Sequence, residues 1–313
     1  MGVIKMIIIE NNFQDVQTYD NYVALGSFDG LHIGHLSLID EVTRIAGKNN
    51  GKSMVFTFKN HPRKFINPNN TLKLLMENDD KIKMLEDKGI DIAYFANFNE
   101  EFMKITPEEF IKFLCVNLNV KGIVVGFNYK FGYKNLGDTK LLKELQKKYG
   151  YELHIMDSCT YKDEVISSTR IRKELETGNV LEASITLNRP YFIKGEIVHG
   201  RKFGRIMGFP TANLKYNKDI VLPKIGVYYT NVRVNNKIYR GITNIGNNPT
   251  VNGKEITLET NILDFDNDIY GNTIEVHFIK KVRDQKKFNS VDDLVNELKN
   301  NKLFAEKEEM VVK

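Results

Sequence analysis

Two histidines stand three residues apart in the stretch Gly26-Ser27-Phe28-Asp29-Gly30-Leu31-His32-Ile33-Gly34-His35. At the opening of a helix that spacing lets both imidazoles face one ligand. Gly30 and Gly34 allow the backbone to approach that ligand without an intervening Cβ. The first N–H groups of a helix lack internal partners and carry partial positive charge, so the chemistry implied is phosphate binding. Zinc is a poor fit, because two histidines here lack a nearby cysteine or third ligand. A second set is Ile166-Ser167-Ser168-Thr169-Arg170-Ile171-Arg172. Ser168 and Thr169 offer hydroxyl and N–H donors, and Arg172, one turn on, can make paired hydrogen bonds to phosphate. A third runs from Gly200 to Leu214 as Gly-Arg-Lys-Phe-Gly-Arg-Ile-Met-Gly-Phe-Pro-Thr-Ala-Asn-Leu. Its glycines and basic residues suit a loop over phosphates, and the Thr211 hydroxyl suits a hard cation.

These residues need elements to hold them. Tyr22-Val23-Ala24-Leu25 reads as a buried strand leading into the first loop, and Leu36, Ile39, Val42 and Ile45 mark one face of the helix that leaves it. Strands at Val3 to Ile9, Ser53 to Phe58, Asp91 to Phe95 and Gly122 to Val125 alternate with helices at Glu77 to Lys88, from Thr106-Pro107-Glu108-Glu109, and at Asp138 to Lys148. Strands separated by helices of this length imply parallel βαβ units, whose ligands bind at the carboxyl ends of strands. Gly47-Lys48-Asn49-Asn50-Gly51-Lys52-Ser53 nearly spells a phosphate-binding P-loop. It has one residue too few and follows a helix rather than a strand, so it reads as a helix end and turn. Helical segments follow, one from Ile166 to Gly178 and one over Asn179 to Leu187. From about residue 190 to 283 the composition turns to alternating β-branched and aromatic residues with short turns, as in Phe192 to Val198 and Val227 to Val234 before Asn235-Asn236. That pattern predicts an antiparallel barrel. A last helix opens at Ser290 with Asp293 three residues on. The expected fold class is α/β plus β, with domains over 1–185 and 186–313.

The chain has 313 residues, 42% of them apolar, and a net charge of +5 spread over mixed signs. Two cores are affordable at this length, and disorder is excluded. The mild charge suits anionic small molecules and does not imply nucleic acid. Cys115 and Cys159, the only thiols, imply a reduced, cytoplasmic protein without a disulfide framework. The run Val3 to Ile9, interrupted by Lys5, is too short for a signal peptide or a membrane span.

The ten-residue string from Gly26 to His35 resembles the His-x-Gly-His signature of nucleotidylyl transferases. In its longer form it resembles that of the prokaryotic bifunctional riboflavin kinase/FMN adenylyltransferases. Phe58-Lys59-Asn60-His61-Pro62 is similar to the family's F-x-P-H-P, with Asn60 in place of the first proline. Gly126-Phe127-Asn128-Tyr129-Lys130-Phe131-Gly132 resembles G-x-[DN]-F-x-F-G, with Tyr129 in place of phenylalanine. The stretch from Ile166 to Arg172 resembles I-S-S-T-x-I-R, and that from Gly200 to Asn213 the kinase signature ending in G-F-P-T-A-N. Gly246-Asn247-Asn248-Pro249-Thr250, with Asn248 where arginine is frequent, Thr257 to Phe265, and the run from Arg283 to Phe288 extend the likeness.

The resemblance implies a Rossmann-like adenylyltransferase domain and a barrel kinase domain. It implies ATP binding by Gly26, Phe28, Asp29, Gly30, His32, Gly34, His35, Ser168, Thr169 and Arg172 in the first, and flavin binding by Phe58, His61, Pro62, Asn128, Tyr129 and Phe131. In the second it implies ATP binding by Gly200, Lys202, Gly204, Arg205, Gly208, Pro210, Thr211 and Asn213, a Mg2+ site at Thr211 and Asn213, and flavin contacts from Glu259 and Arg283. Glu259 becomes the general base for a primary alcohol attacking a phosphoryl group, with Glu255 and Asp264 as neighbouring alternatives. Riboflavin, FMN, FAD and ATP are the expected small-molecule partners, without nucleic acid or membrane, in a monomer or weak oligomer. Two other readings stand beside it: a monofunctional kinase or FAD synthetase with one decayed module, and a flavin-sensing or RNA-binding regulator.

Overall fold

A computed structural model describes residues 5–10, 18–67, 72–200, 208–250 and 253–312, with backbone alone at 248–250 and 253–255. By packing, the chain forms two compact units, Met1–Ser167 and Ser168–Lys313. The first contains β1 (Ile7–Ile9), β2 (Asn21–Leu25), α1 (Ile33–Lys48), β3 (Lys52–Phe58), α2 (Pro62–Ile66), α3 (Asn78–Asp87), β4 (Ile92–Ala96), α4 (Glu100–Lys104), α5 (Pro107–Lys112), β5 (Val120–Gly126), α6 (Thr139–Tyr149), β6 (Glu152–Met156), β7 (Thr160–Tyr161) and β8 (Glu164–Val165). Six strands make one parallel sheet in the order β1-β4-β3-β2-β5-β6. Central strands bury both faces, which is why β2 is buried at all five positions. Val23, Leu25, Met54 and Phe56 pack on the side of α5 and α6, with Phe110 and Leu142. Ala24, Val55 and Phe95 pack on the other, with Ile39 and Val42 of α1 and Leu85 of α3.

The expected caps form. Thr106 and Glu109 make a reciprocal capping box on α5, and the Asp138 carboxylate accepts from the N–H groups of Lys140 and Leu141. The near P-loop is the end of α1. Asn50 takes φ +53, and the Gly51 and Asn50 N–H groups donate to the carbonyls of Ala46 and Gly47, as in a Schellman motif. The short helices α2 and α4, the strand β6 and the β7–β8 pair were not expected. α2 and α4 are five residues each, too short for a helical period to show. β6 is an edge strand of exposed or half-buried residues, without the apolar run that marks its neighbours.

The second unit contains α7 (Ser168–Thr177), α8 (Val180–Leu187), β9 (Tyr191–Val198), β10 (Ala212–Tyr216), β11 (Gly226–Val234), β12 (Lys237–Thr250), β13 (Gly253–Ile262), β14 (Thr273–Arg283) and α9 (Val291–Lys307). The six strands close as β10-β13-β12-β11-β14-β9, antiparallel throughout. Closure removes the sheet edges. Asn235 and Asn236, both at positive φ (47° and 66°), make the tight turn between β11 and β12. Inside the barrel the hydroxyls of Thr230, Thr243 and Thr260 bond in a row, 2.9 Å at each step. On the outer side, Val227, Tyr229 and Ile242 cluster with Ala305 of α9, and Ser290 caps that helix through Asp293 N–H at 3.1 Å. Helices α7 and α8, expected in the first domain, pack with this unit, α8 lying against β9 and β14.

Candidate active sites

Strand order in the first unit runs one way from β2 through β3 to β4 and the other way to β5 and β6, so a topological switch lies at the carboxyl end of β2. Open α/β sheets bind ligands at such a crevice. The loop Gly26 to His32 emerges there and turns sharply, with Phe28, Gly30 and Leu31 at φ +48°, +83° and +42°. Phe28 and Leu31, both fully buried, anchor the turn in the core. Gly30 has a specific need to be glycine: a Cβ there would lie 2.7 Å from Leu75 Cδ1. Asp29, also buried, accepts the Leu75 N–H at 2.9 Å.

His32 is the N-cap of α1. The His35 N–H donates to its carbonyl at 2.7 Å, and its Nδ1 accepts from the same N–H at 3.3 Å. That assigns the proton of neutral His32 to Nε2. The two imidazoles stack with centroids 3.7 Å apart, and Phe28 meets His35 edge-on at 5.3 Å. Burial, then the charges of His32 and Lys81, hold His35 well below the ordinary imidazole range. At neutral pH it is therefore an uncharged donor or acceptor. Its Nδ1 is buried without a hydrogen-bond partner among the described residues. Gly34 packs directly against the His32 ring, a built Cβ lying 3.3 Å from it.

The expected flavin residues end or follow β3 and β5, the two strands that flank β2 in the sheet. Phe58 closes β3 and contacts Phe98 and Phe102 edge-on at 5.5 and 5.6 Å. Asn60, standing where a proline is usual, joins the loop to the Phe98 backbone, with Nδ2 donating to the carbonyl and Oδ1 accepting from the N–H, both at 2.8 Å. His61 caps α2 with Pro62 at its first position. After β5, Asn128 is exposed, and Tyr129 stacks on Phe131 at 5.6 Å. Phe131 is buried in the core, so Tyr129 is the more accessible of the pair. Ser168, Thr169 and Arg172 lie at the head of α7 in the second unit, Arg172 buried.

In the second unit, Gly200, Pro210, Thr211, Asn213 and Thr260 line a cavity of about 340 Å3. Gly200 is pressed on the Asn213 carboxamide so closely that a Cβ would come 2.2 Å from Nδ2. The Pro210 carbonyl accepts from Asn261 Nδ2 at 2.6 Å, fastening the loop to β13. Glu259 stands opposite Asn213 across β10 and β13, and opposite Asn244 across β12 and β13. Directly opposed residues share a face. Leu258 and Thr260 are buried while Glu259 is half-buried, so carboxylate and carboxamide sit together on the outer face. The Thr211 hydroxyl and Asn213 carbonyl are hard oxygen donors of the kind that complete the shell of a phosphate-bound magnesium ion. Gly208 takes φ +78°. Lys202, Gly204 and Arg205 lie outside the described residues, as do the side chains of Asn248 and Glu255. Arg283 Nε lies 2.6 Å from Glu297 Oε1 of α9, so its charge is engaged within the protein.

Three features escaped the sequence reading. Lys81 of α3 is buried beneath the first loop. Its signal was a lysine on the inward stripe of a helix, four residues before buried Leu85. Asn261 pins the Pro210 loop, a contact 51 residues away in sequence. The segment from Phe265 to Tyr270 lines the cavity of the second unit, with Tyr270 against His199 at 3.9 Å between centroids. No periodicity marks such a loop.

Fold and sites together define a two-part nucleotide-using enzyme, with a nucleotidylyl-transfer type of α/β unit and a barrel with a phosphate-loop cavity. The family model described as FAD synthetase matches residues 14–170, and that described as riboflavin kinase matches 187–308. The chain is 36% identical over 288 residues to the bifunctional riboflavin kinase/FMN adenylyltransferase of Bacillus subtilis, covering 90% of each chain. It is 37% identical to that of Listeria monocytogenes, over 88% of each. A crystal structure described as a macrolide-efflux protein from Streptococcus pneumoniae superimposes with a TM-score of 0.89 at 33% identity, covering 97% of this chain and 100% of that one. The chain belongs to the bifunctional riboflavin kinase/FMN adenylyltransferase family, and it carries both of the family's domains.

Proposed function

We propose that the chain makes FAD from riboflavin in two ATP-dependent steps, one in each domain. In the kinase step the ribityl 5′-hydroxyl oxygen attacks the γ-phosphorus of ATP. The bond from that phosphorus to the bridging oxygen breaks, ADP leaves, and the hydroxyl proton passes to Glu259. Thr211 and Asn213 would hold Mg2+, which neutralises phosphate charge when bound. Gly200, Gly208 and Pro210 shape the loop over the nucleotide, with Lys202, Gly204 and Arg205 as further phosphate contacts. Arg283 bears on the flavin through the α9 side that Glu297 joins.

In the second step an FMN phosphate oxygen attacks the α-phosphorus of a second ATP and pyrophosphate leaves. The nucleophile is already an anion, so no protein base is needed. Catalysis is positioning and stabilisation of charge. His32, His35 and the loop N–H groups serve the nucleotide, and Ser168, Thr169 and Arg172 the leaving pyrophosphate. Phe58, His61, Pro62, Asn128, Tyr129 and Phe131 receive the flavin.

The observation that carries this reading is the pairing of Glu259 with Asn213 across one strand pair beside a phosphate-loop cavity, in a chain that also carries a stacked histidine pair at a sheet's switch point. The presence of both domains favours it over a monofunctional enzyme. Transport, named for the Streptococcus pneumoniae structure, is not carried over, because both sites are built from phosphate-handling groups. No described helix is long and apolar enough to cross a membrane. A cytoplasmic monomer or weak oligomer, acting on small molecules without nucleic acid or membrane, with its functional boundary at 185/186, completes the proposal.

The test is chromatography of products from purified protein, ATP and Mg2+, started in parallel from riboflavin and from FMN. FAD from both is expected. FMN alone from the first and nothing from the second would reduce the chain to a kinase. No product from either would remove the enzymatic reading.

A further inference from the structure

Lys81 has no role in the chemistry above, yet it is only 5% exposed. Its ammonium donates to the Ser27 carbonyl at 3.2 Å. The same carbonyl accepts from Thr57 Oγ1 at 2.9 Å. Ser27 is the last residue before the loop enters its positive-φ turn at Phe28. Two donors from two different elements, α3 and β3, therefore converge on the point from which the phosphate loop departs. The ammonium also lies 5.9 Å from the centre of the Phe95 ring, a favourable face for a cation. Asp29 acts on Lys81 electrostatically from within the loop, and Lys81 acts on His35 from the other side.

A neutral hydrogen-bond donor would fasten the Ser27 carbonyl without burying a charge, which is costly. A charge kept there against that cost points to a task that needs charge. His35 does not supply it, because it is held neutral. A helix N-terminus supplies only a partial charge. ATP brings several negative charges to this loop.

We propose that Lys81 is a positioning residue of the adenylylation centre: its buried ammonium clamps the Ser27 carbonyl, aims the loop N–H groups, and sets the positive field into which the phosphates of ATP settle. The proposal rests on the adenylylation reading above. Burial brings Lys81 down to about 8, with Asp29 opposing the shift. The groups facing it are Asp29 from the loop and His35 from α1, with His32 stacked behind, while Asp80 is its buried neighbour on α3. Lys81 is charged at neutral pH and loses its proton just above it, where His35 has none to lose.

Lys81→Met and Lys81→Arg decide the matter, assayed for FMN-to-FAD conversion with ATP varied over roughly pH 6.5–9.5, a range that spans the titration of a lysine shifted this far. Lys81→Met should raise KM for ATP about 10- to 100-fold, the range for losing a charged hydrogen bond, with a smaller change in kcat. Lys81→Arg should recover part of the loss. The parent's KM for ATP should climb as pH passes about 8, and that of Lys81→Met should stay flat. Riboflavin phosphorylation by the same proteins should be unchanged. A KM within twofold of the parent in Lys81→Met, or a parent KM that does not change with pH, would overturn the proposal. If Lys81→Met does not fold, the parent's pH profile decides alone. Calorimetric binding of ATP to the same proteins separates this proposal from the adenylylation reading. A parent that binds ATP at this loop with the stated pH dependence but never makes FAD refutes the reading and keeps the role of Lys81.

Discussion

At the scale of single residues, the proposed adenylylation site places an uncharged histidine where a cation would be the simple choice. Stacking at 3.7 Å with His32 makes double protonation costly, and burial adds to that cost. A neutral imidazole can still donate one hydrogen bond to developing phosphate charge. His35→Ala should slow FMN adenylylation by about 10²–10³-fold, the usual size for one such donor, while riboflavin phosphorylation keeps its rate. A rate within a few-fold of the parent would remove His35 from that role. The same shift has a consequence for stability. The folded value lies below the ordinary 6.5, so the unfolded chain binds the proton first as pH falls. The slope of unfolding free energy with pH is therefore positive below about 6.5, and this contribution is whole above it. Thermal melts should show the first unit losing stability as pH falls below about 6.5, and His35→Gln should flatten that part of the curve.

At the scale of elements, the loop after β2 is held by contacts on every side rather than by its own preference. Phe28 and Leu31 spend positive φ to bury their side chains, and Asp29 secures Leu75. Gly30 is where this arrangement has no slack. Gly30→Ala would place a Cβ against Leu75 at φ +83°, a strain of about 1–2 kcal/mol before the contact is counted. Adenylylation should fall by at least about tenfold while the kinase assay is unaffected, since the substitution touches only the first unit. The caps show the other kind of element, decided locally. Thr106→Ala removes the hydroxyl half of the capping box on α5, leaving the residue's own N–H to the Glu109 carboxylate, and should cost about 1 kcal/mol in the melt of the first unit without altering either KM.

At the scale of the whole molecule, each unit has its own core and its own strands. Glu259→Ala should abolish FMN formation and leave FMN-to-FAD conversion nearly intact. A mixture of Glu259→Ala and His35→Ala proteins should then restore FAD production from riboflavin, because the intact kinase of one supplies FMN to the intact adenylyltransferase of the other. Failure of the mixture, with each protein competent in its remaining step, would show that FMN does not pass between chains.

Much of this was legible in the chain itself. The order of strands and helices in the first unit follows from apolar runs and caps such as Thr106-Pro107 and Asp138, because those signals are local and a few neighbouring residues decide them. The motif loops were legible for a related reason: phosphate handling demands glycine, hydroxyl and basic residues close together along the chain. Tertiary structure alone decided the rest. It set β2 at the switch point, brought Asn213 across from Glu259 over 45 intervening positions, pinned Pro210 with Asn261, and slid Lys81 beneath Ser27. It also packed α7 and α8 with the barrel unit. Strand pairing and burial join residues far apart in sequence, and a lysine or an asparagine carries no mark of its partner until the chain has closed around both.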